Sequence, residues 1–171
     1  MMKFQSYRTA LLVVNMQTGA MDAARRLGID TDALAEQIGA EICRLREAGV
    51  LIVFVNSDKG GALDDRMGYC SERDYLIEKP CFSGFFGTDL RYILMNHHVD
   101  NTLTCGLRTN LDCRATAIDA TSHDLVSYIV SDLTQTDCEE TKQFHLREMS
   151  WYFSLPLTTA EIHARLADGR L

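Results

Sequence analysis

Proline is scarce in this sequence, with 2 residues among 171. Few prolines and a hydrophobic content of 46% argue against a disordered polypeptide, and the length suits one ample core rather than several. We therefore expect a single domain that covers residues 1–171.

The sequence also lacks an excess of positive charge and a long apolar run. Its 17 lysines and arginines are interleaved with 24 aspartates and glutamates, for a net charge of -7, so no basic stripe could neutralise nucleic-acid phosphates. The apolar run in the first segment, MMKFQSYRTALLVV, is too short for a signal core or a membrane span. We expect neither a nucleic-acid partner nor a membrane partner.

The 6 cysteines are scattered, without the close pairing that is typical of zinc sites. Because no secretory segment would take them to an oxidising compartment, we expect reduced thiols and a cytoplasmic protein.

Short apolar runs alternate with helical patterns along the chain. Four short runs are continuous and mostly rich in Val, Ile and Leu, which is typical of parallel strands covered on both faces; they span residues 10–14, 50–55, 102–105 and 126–130. Helical patterns span residues 32–48, 89–97, 110–122, 139–149 and 159–166. This alternation predicts an α/β fold with a mostly parallel central sheet between helical layers.

In such a sheet the ligand crevice lies beyond the carboxyl ends of the strands. Three segments could meet there, namely residues 15–17, 79–80 and 106–112. The irregular stretch 56–75 is rich in glycine and charge, so we expect it to overhang the same crevice.

These segments resemble, in the same order, the isochorismatase-like cysteine hydrolase superfamily, which includes nicotinamidases, carbamoylsarcosine amidases and isochorismatases. The family pattern is an apolar strand ending in Asp-x-Gln, a lysine before an aromatic-rich segment, and G-x-x-T-N-x-C-x-x-x-T. Here the three parts are LLVVNMQ, EKPCFSGFFGTDL and GLRTNLDCRAT. The resemblance covers the chain from about residue 10 to the final helix. It implies a three-layer αβα sandwich, a small-molecule substrate and a homo-oligomer, either a dimer or a tetramer.

Carried over by position, the resemblance assigns the catalytic lysine to Lys79. It places Asn15 where the family has a catalytic aspartate, and Asp112 where the family has its nucleophilic cysteine. Thr109 and Asn110 before Asp112, and Thr116 after it, match the family motif and fix this alignment. Cys113 lies one residue further, which turns a helical side chain by roughly 100°, so we expect it to be a small buried hydrophobe.

The altered positions keep the same total charge. An aspartate, a lysine and a neutral thiol sum to zero, and so do Asn15, Lys79 and Asp112. We expect Asp112 at the helix start, where backbone N–H groups favour an anion, beside the Lys79 ammonium. The carboxylate would imitate a thiolate electrostatically without its nucleophilicity.

Three hypotheses remain open for this arrangement. An enzyme could use Asp112 or Lys79 in acid–base chemistry, as isochorismatases hydrolyse a vinyl ether by proton transfer, with Asn15 positioning substrate or water. Asp112 could instead attack as a carboxylate nucleophile. The pair could also stabilise a catalytically silent ligand-binding protein or an inactivated variant. We favour an atypical hydrolase that acts on a small, carboxylated metabolite without a cysteine nucleophile.

Six further residues are candidates for substrate binding: Gln17, Phe82, Phe85, Phe86, Leu107 and Arg108. The phenylalanines correspond to a family segment that lines the site, although a plain core cluster is the alternative. Arg108 could bind a substrate carboxylate or form a surface salt bridge. The family's Asp-x-His metal pair has no counterpart in residues 56–59, so we expect no metal and no cofactor.

Overall fold

Six parallel strands form one sheet at the centre of the computed structural model, which describes residues 6–168. The strands are β1 (Thr9–Val14), β2 (Leu51–Ser57), β3 (Tyr75–Lys79), β4 (Asn101–Leu107), β5 (Val126–Gln135) and β6 (Leu155–Leu157). Their order across the sheet is β3-β2-β1-β4-β5-β6, and every neighbouring pair is parallel. The chain order reverses between β1 and β4, so a crevice is expected beyond the carboxyl ends of these two strands.

Helices cover both faces of the sheet. They are α1 (Thr18–Arg25), α2 (Thr31–Glu47), α3 (Leu90–Asn96), α4 (Arg114–Ser122), α5 (Glu139–Tyr152) and α6 (Thr159–Ala167). Buried side chains of α1, α2 and α6 belong to one apolar cluster, and those of α3, α4 and α5 belong to a second. None of the described helices combines the length and the apolarity needed to cross a bilayer. The three-layer α/β architecture expected from the sequence is confirmed.

The central strand β1 separates the two apolar clusters. Leu11 and Val13 belong to the cluster under α1, α2 and α6, whereas Ala10, Leu12 and Val14 belong to the other. All six residues of β1 are buried, because a parallel strand between two helical layers has no solvent-facing side. Each buried Leu or Val contributes about 1.5–3 kcal/mol, which makes the continuous apolar run a strong determinant of this strand.

All four predicted strands and all five predicted helices are present, with boundaries shifted by a few residues. Three elements were not predicted. In β3 only Ile77 and Lys79 are buried, β6 has three residues and contains a proline, and α1 buries only Met21 and Ala24. Each of these elements is short or half exposed, so its apolar pattern is weak.

An ion pair connects helices α4 and α5. The Arg114 guanidinium donates through Nε to Oε2 of Glu148 at 2.9 Å and through a second nitrogen to Oε1. His145 contacts the same carboxylate at 3.0 Å. The Arg114 hydrogen bonds lower the pKa of Glu148 from 4.5 to about 2.

We therefore predict that Glu148→Gln destabilises the protein by about 1–2 kcal/mol at neutral pH, a range that allows for solvent screening of partly exposed charges. A depressed carboxyl pKa gives stability that is present above pH 4.5 and is lost as the pH falls towards 2. Urea denaturation at several pH values should show the difference from wild type shrinking across that window. Glu36→Gln, at an exposed position of α2, is the control; an equal pH dependence in that variant would contradict the assignment.

Candidate active site

A cavity of about 500 Å³ opens beyond the carboxyl ends of the central strands. Its floor contains residues that end or follow these strands: Asn15, Ser57, Lys79 and Leu107. Helix α1, residues 58–60 and residues 80–82 form its walls. The three segments expected from the sequence therefore meet at one crevice, and part of the irregular stretch after β2 covers it.

Lys79 and Asp112 form a buried ion pair on this floor. Lys79 is the last residue of β3 and is 1% exposed, and Asp112 is 7% exposed. The Lys79 Nζ donates to Oδ1 of Asp112 and to the carbonyl oxygen of Cys81, the latter at 3.0 Å. The second carboxylate oxygen of Asp112 has no hydrogen-bond partner within residues 6–168, so it is free to meet a ligand.

Asp112 lies in a π-helical turn, Thr109–Cys113, that leads directly into α4. Two sets of contacts fix this turn. The Thr116 hydroxyl donates to the carbonyl of Asp112 at 2.8 Å, and the Thr109 hydroxyl lies 2.9 Å from that of Thr134 on β5. The helix-start position expected for Asp112 is thus observed, with the first turn wider than an α-helix.

Asn15 follows β1 with a left-handed backbone, φ 54°. Its N–H donates to the carbonyl of Val55 at 3.0 Å, which ties this conformation to β2. The side-chain Oδ1 is buried and has no hydrogen-bond donor among the described residues, and Asn15 is one of the residues that line the same cavity. An unpaired buried acceptor costs free energy, so Asn15 offers a ready contact for a ligand hydroxyl, an amide N–H or a water.

Arg108 supplies a positive charge to the cavity wall. Its Nε is buried and has no acceptor in the described part of the chain, and the peptide bond that joins it to Leu107 is cis. The lining contains three cationic side chains, Lys59, Lys79 and Arg108, against two carboxylates, Asp58 and Asp112, for a net charge of +1. In a protein of net charge -7, this local excess favours an anionic ligand.

The opposite wall of the cavity is apolar. Ala20, Ala23, Ala24 and Leu27 of α1 and its following turn line it, together with the half-exposed ring of Phe82. The sequence interpretation missed these α1 residues, although alanines at spacings of three and four after a strand were a usable signal. The sequence interpretation also missed Cys81, an exposed residue that lines the cavity together with Lys79.

Gln17 does not reach the cavity, in contrast to the sequence interpretation. Its amide donates to the carbonyls of Ser57 and Gly61 at 3.0 and 2.7 Å, and its Oε1 accepts from the N–H of Ser57 at 2.7 Å. The side chain is therefore committed to backbone groups at both ends of residues 57–61. It holds this segment over the cavity instead of contacting what lies inside.

The three phenylalanines point in different directions. Phe82 lines the cavity, but Phe85 is buried in the apolar cluster shared by α3, α4 and α5. Phe86 is 65% exposed and lies outside the cavity lining. Of this aromatic segment, only Phe82 is placed to contact a ligand.

The thiol of Cys113 lies in the core and not in the cavity. The residue is fully buried, and its Sγ lies 3.8 Å from the carbonyl of Cys105 and 3.7 Å from the Thr134 hydroxyl. Burial raises the pKa of Cys113 to about 12. A thiol held neutral at pH 7 is a poor nucleophile.

Within residues 6–168, no group of three or more His, Cys, Asp or Glu side chains is arranged to bind a metal ion. Two histidines, His163 of α6 and His97 just after α3, contact protein side chains. His163 contacts the buried carboxylate of Glu41 at 2.8 Å, and His97 contacts the hydroxyl of Tyr75 at 2.9 Å.

Comparison with known proteins identifies the family of this chain. The isochorismatase domain model matches residues 9–161. An uncharacterized isochorismatase family protein of Bacillus subtilis (strain 168), YwoC, is 31% identical over 74 residues, which span 43% of this chain and 39% of that protein. That match thus covers well under half of the relative's length.

Solved structures share the fold at low identity. A cysteine hydrolase from Pseudomonas syringae pv. phaseolicola 1448A superposes with a TM-score of 0.86 at 21% identity, covering 99% of this chain and 97% of that one. An N-carbamoylsarcosine amidase from Thermoplasma acidophilum gives a TM-score of 0.72 at 22% identity, with 88% and 96% covered. At these identities the superpositions establish the fold alone. The family match over residues 9–161, together with this fold, shows that the chain belongs to the isochorismatase domain family.

Proposed function

We propose that this protein is an atypical hydrolase of the isochorismatase superfamily that acts on a small, carboxylated metabolite without a cysteine nucleophile. The observation behind the proposal is the buried Lys79–Asp112 ion pair on the cavity floor. It supplies a proton donor and a proton acceptor in direct contact, next to a volume large enough for a metabolite.

The proposal also takes Asn15 and Asp112 as replacements for the family's catalytic aspartate and cysteine. The support is positional and electrostatic. Asn15 follows β1, Lys79 ends β3 and Asp112 lies in the turn after β4, and all three line one cavity. A carboxylate has moved from a strand end to a helix start, while the total charge of the three side chains stays at zero.

Acid–base hydrolysis fits this geometry with a closed proton balance. The Lys79 ammonium gives a proton to the substrate, and the free oxygen of Asp112 takes a proton from the water that adds. Asn15 accepts a hydrogen bond from that water or from a substrate donor. The proton then returns from Asp112 to Lys79 once rotation of the carboxyl group brings its protonated oxygen to the Lys79 Nζ, so each turnover consumes one water and restores both residues.

Attack by Asp112 as a carboxylate nucleophile is the competing route within the same proposal. It requires Asp112 to leave Lys79, because an ion-paired carboxylate is a weak nucleophile. Single turnover in ¹⁸O-labelled water, followed by mass spectrometry of the Asp112 peptide, separates the two. Label in Asp112 indicates a covalent intermediate that water opens at the Asp112 carboxyl carbon. With a vinyl ether substrate, whose ester with Asp112 has no other acyl carbon for water to attack, label only in the product indicates acid–base hydrolysis.

A catalytically silent ligand-binding protein is the second candidate function. The burial of the Lys79–Asp112 pair favours it, since removing either partner leaves an unpaired buried charge at a cost of about 3–5 kcal/mol, which is a reason to retain both residues without catalysis. A panel of amides, vinyl ethers and aromatic acids discriminates the two functions. Thermal stabilisation without product supports the silent protein, and product formation supports the hydrolase.

With any substrate that this panel yields, we predict that Lys79→Met and Asp112→Asn each lower kcat by about 100-fold or more, because each removes one proton-transfer group. Cys113→Ala should stay within about twofold of wild type, since its thiol is buried away from the cavity. Steady-state kinetics below the melting temperature of every variant provides the measurement.

The double variant Lys79→Met/Asp112→Leu controls for folding. It replaces the buried ion pair by apolar groups, so it should regain stability lost in the single variants yet stay inactive. Full activity in this variant, or loss of activity only in Cys113→Ala, would overturn the assigned roles.

We further predict that Arg108→Gln raises KM for a carboxylated substrate by about 10–100-fold, because the variant loses a charge-assisted hydrogen bond. An amide analogue that lacks the carboxylate should bind wild type and variant about equally. Arg73→Gln, at an exposed position outside this cavity, serves as the matched loss of one positive charge. An equal rise in KM for both analogues would exclude recognition of the carboxylate by Arg108.

A further inference from the structure

A second cavity, of about 460 Å³, lies between α5 and the β5–β6 edge of the sheet. Its lining includes Ser131 of β5, Lys142, Gln143 and Arg147 of α5, and Pro156 of β6. It shares no lining residue with the cavity of the Lys79–Asp112 pair. Any ligand of this second cavity therefore binds at a site separate from the one proposed for hydrolysis.

Lys142 is the unusual residue in this cavity. It is only 7% exposed, and its ammonium has no hydrogen-bond acceptor or ion-pair partner within residues 6–168. Burial lowers the pKa of Lys142, and the carboxylates of Glu139 and Asp132 oppose that effect only at longer range. The Lys142 Nζ is not one of the described buried polar atoms that lack a partner, so it reaches the open cavity, where its unused N–H donors can bind a ligand.

The nearby carboxylates are already engaged. Asp132 accepts hydrogen bonds from the N–H of Thr159 at 3.0 Å and from its hydroxyl at 2.6 Å, which caps the start of α6. Glu139 accepts from the side chain of Gln143 at 2.6 Å. Neither carboxylate lies within hydrogen-bond distance of Lys142, so the Lys142 donors remain available to the cavity.

Arg147 adds a second cation to the same cavity. Its guanidinium has no hydrogen-bond or ion-pair partner in the described part of the chain. With Asp132 as the carboxylate of the lining, the two cations leave a net charge of +1. The hydroxyl of Ser131 donates to the carbonyl of Leu157 at 3.3 Å and the amide of Gln143 donates to Glu139, so the two cations are the principal donors to a ligand.

We propose that this cavity is a binding site for a small oxyanion, the carboxylate or phosphate group of a metabolite, held by Lys142 and Arg147. The oxyanion accepts hydrogen bonds from the Lys142 ammonium and from the Arg147 guanidinium. Charge-assisted hydrogen bonds of this kind are the strong ones, and they would offset the burial of Lys142. The site would act as an accessory or regulatory site, away from the cavity at the strand ends.

The test is thermal unfolding of the full chain at pH 7 with increasing sodium phosphate or sodium malonate, at an ionic strength held constant with sodium chloride. Wild type should show a saturable rise in Tm of a few degrees with at least one of the two anions. Tighter binding of phosphate identifies the phosphate group as the ligand chemistry, and tighter binding of malonate identifies the carboxylate.

Two substitutions connect the effect to this cavity. Lys142→Met keeps the aliphatic stem and should abolish the anion-dependent rise, while the anion-free protein stays as stable as wild type or becomes more stable because a buried charge is removed. Arg147→Gln should weaken anion binding by about tenfold or more. All variants are compared in an Arg108→Gln background, which removes the proposed carboxylate contact of the first cavity, and there Arg26→Gln, at an exposed position outside both cavities, should keep the full rise.

The proposal fails if neither anion stabilises wild type beyond the chloride reference. It also fails if Lys142→Met keeps the wild-type response, because the anion then binds elsewhere. Loss of the response in Arg108→Gln alone would assign the anion to the first cavity and would likewise overturn the second site.

Discussion

The buried contact between Lys79 and Asp112 is the interaction on which the cavity depends. It joins the edge strand β3 to the turn before α4, two segments that otherwise belong to different parts of the sheet. Neither charge could be buried alone, because an unpaired ion in the interior costs several kcal/mol. The pair therefore holds the end of β3 against the turn before α4 at the cavity floor.

The burial of parallel strands explains how much of the fold the sequence predicts. Strands β1, β2, β4 and β5 lie between two helical layers, so most of their side chains are buried, and apolar residues predominate in their central parts. The edge strands β3 and β6 have helical cover over only part of their length, and Tyr75, Leu76 and Leu155 are exposed. Without a buried face along the whole strand, composition alone does not separate such a segment from a loop.

For the candidate site, the sequence predicts which residues lie near the cavity better than it predicts where their side chains point. Asn15, Lys79, Leu107, Arg108 and Asp112 end or follow strands, and the topology of a parallel sheet brings such positions together. Gln17 and the aromatic segment lie in irregular backbone, where spacing does not determine direction. The Gln17 side chain forms three hydrogen bonds with backbone groups. The ring of Phe85 lies in the core, that of Phe82 in the cavity wall and that of Phe86 in solvent.

The neighbours Asp112 and Cys113 illustrate how a difference of one residue decides which chemistry is available. The backbone turn directs Asp112 to the cavity, where Lys79 compensates its charge, and directs Cys113 into the apolar cluster under α4 and α5. Burial raises the pKa of that thiol to about 12, so a reactive thiolate is not accessible there at neutral pH. The turn consequently presents a carboxylate to the cavity, whereas the thiol that follows it in sequence stays in the core.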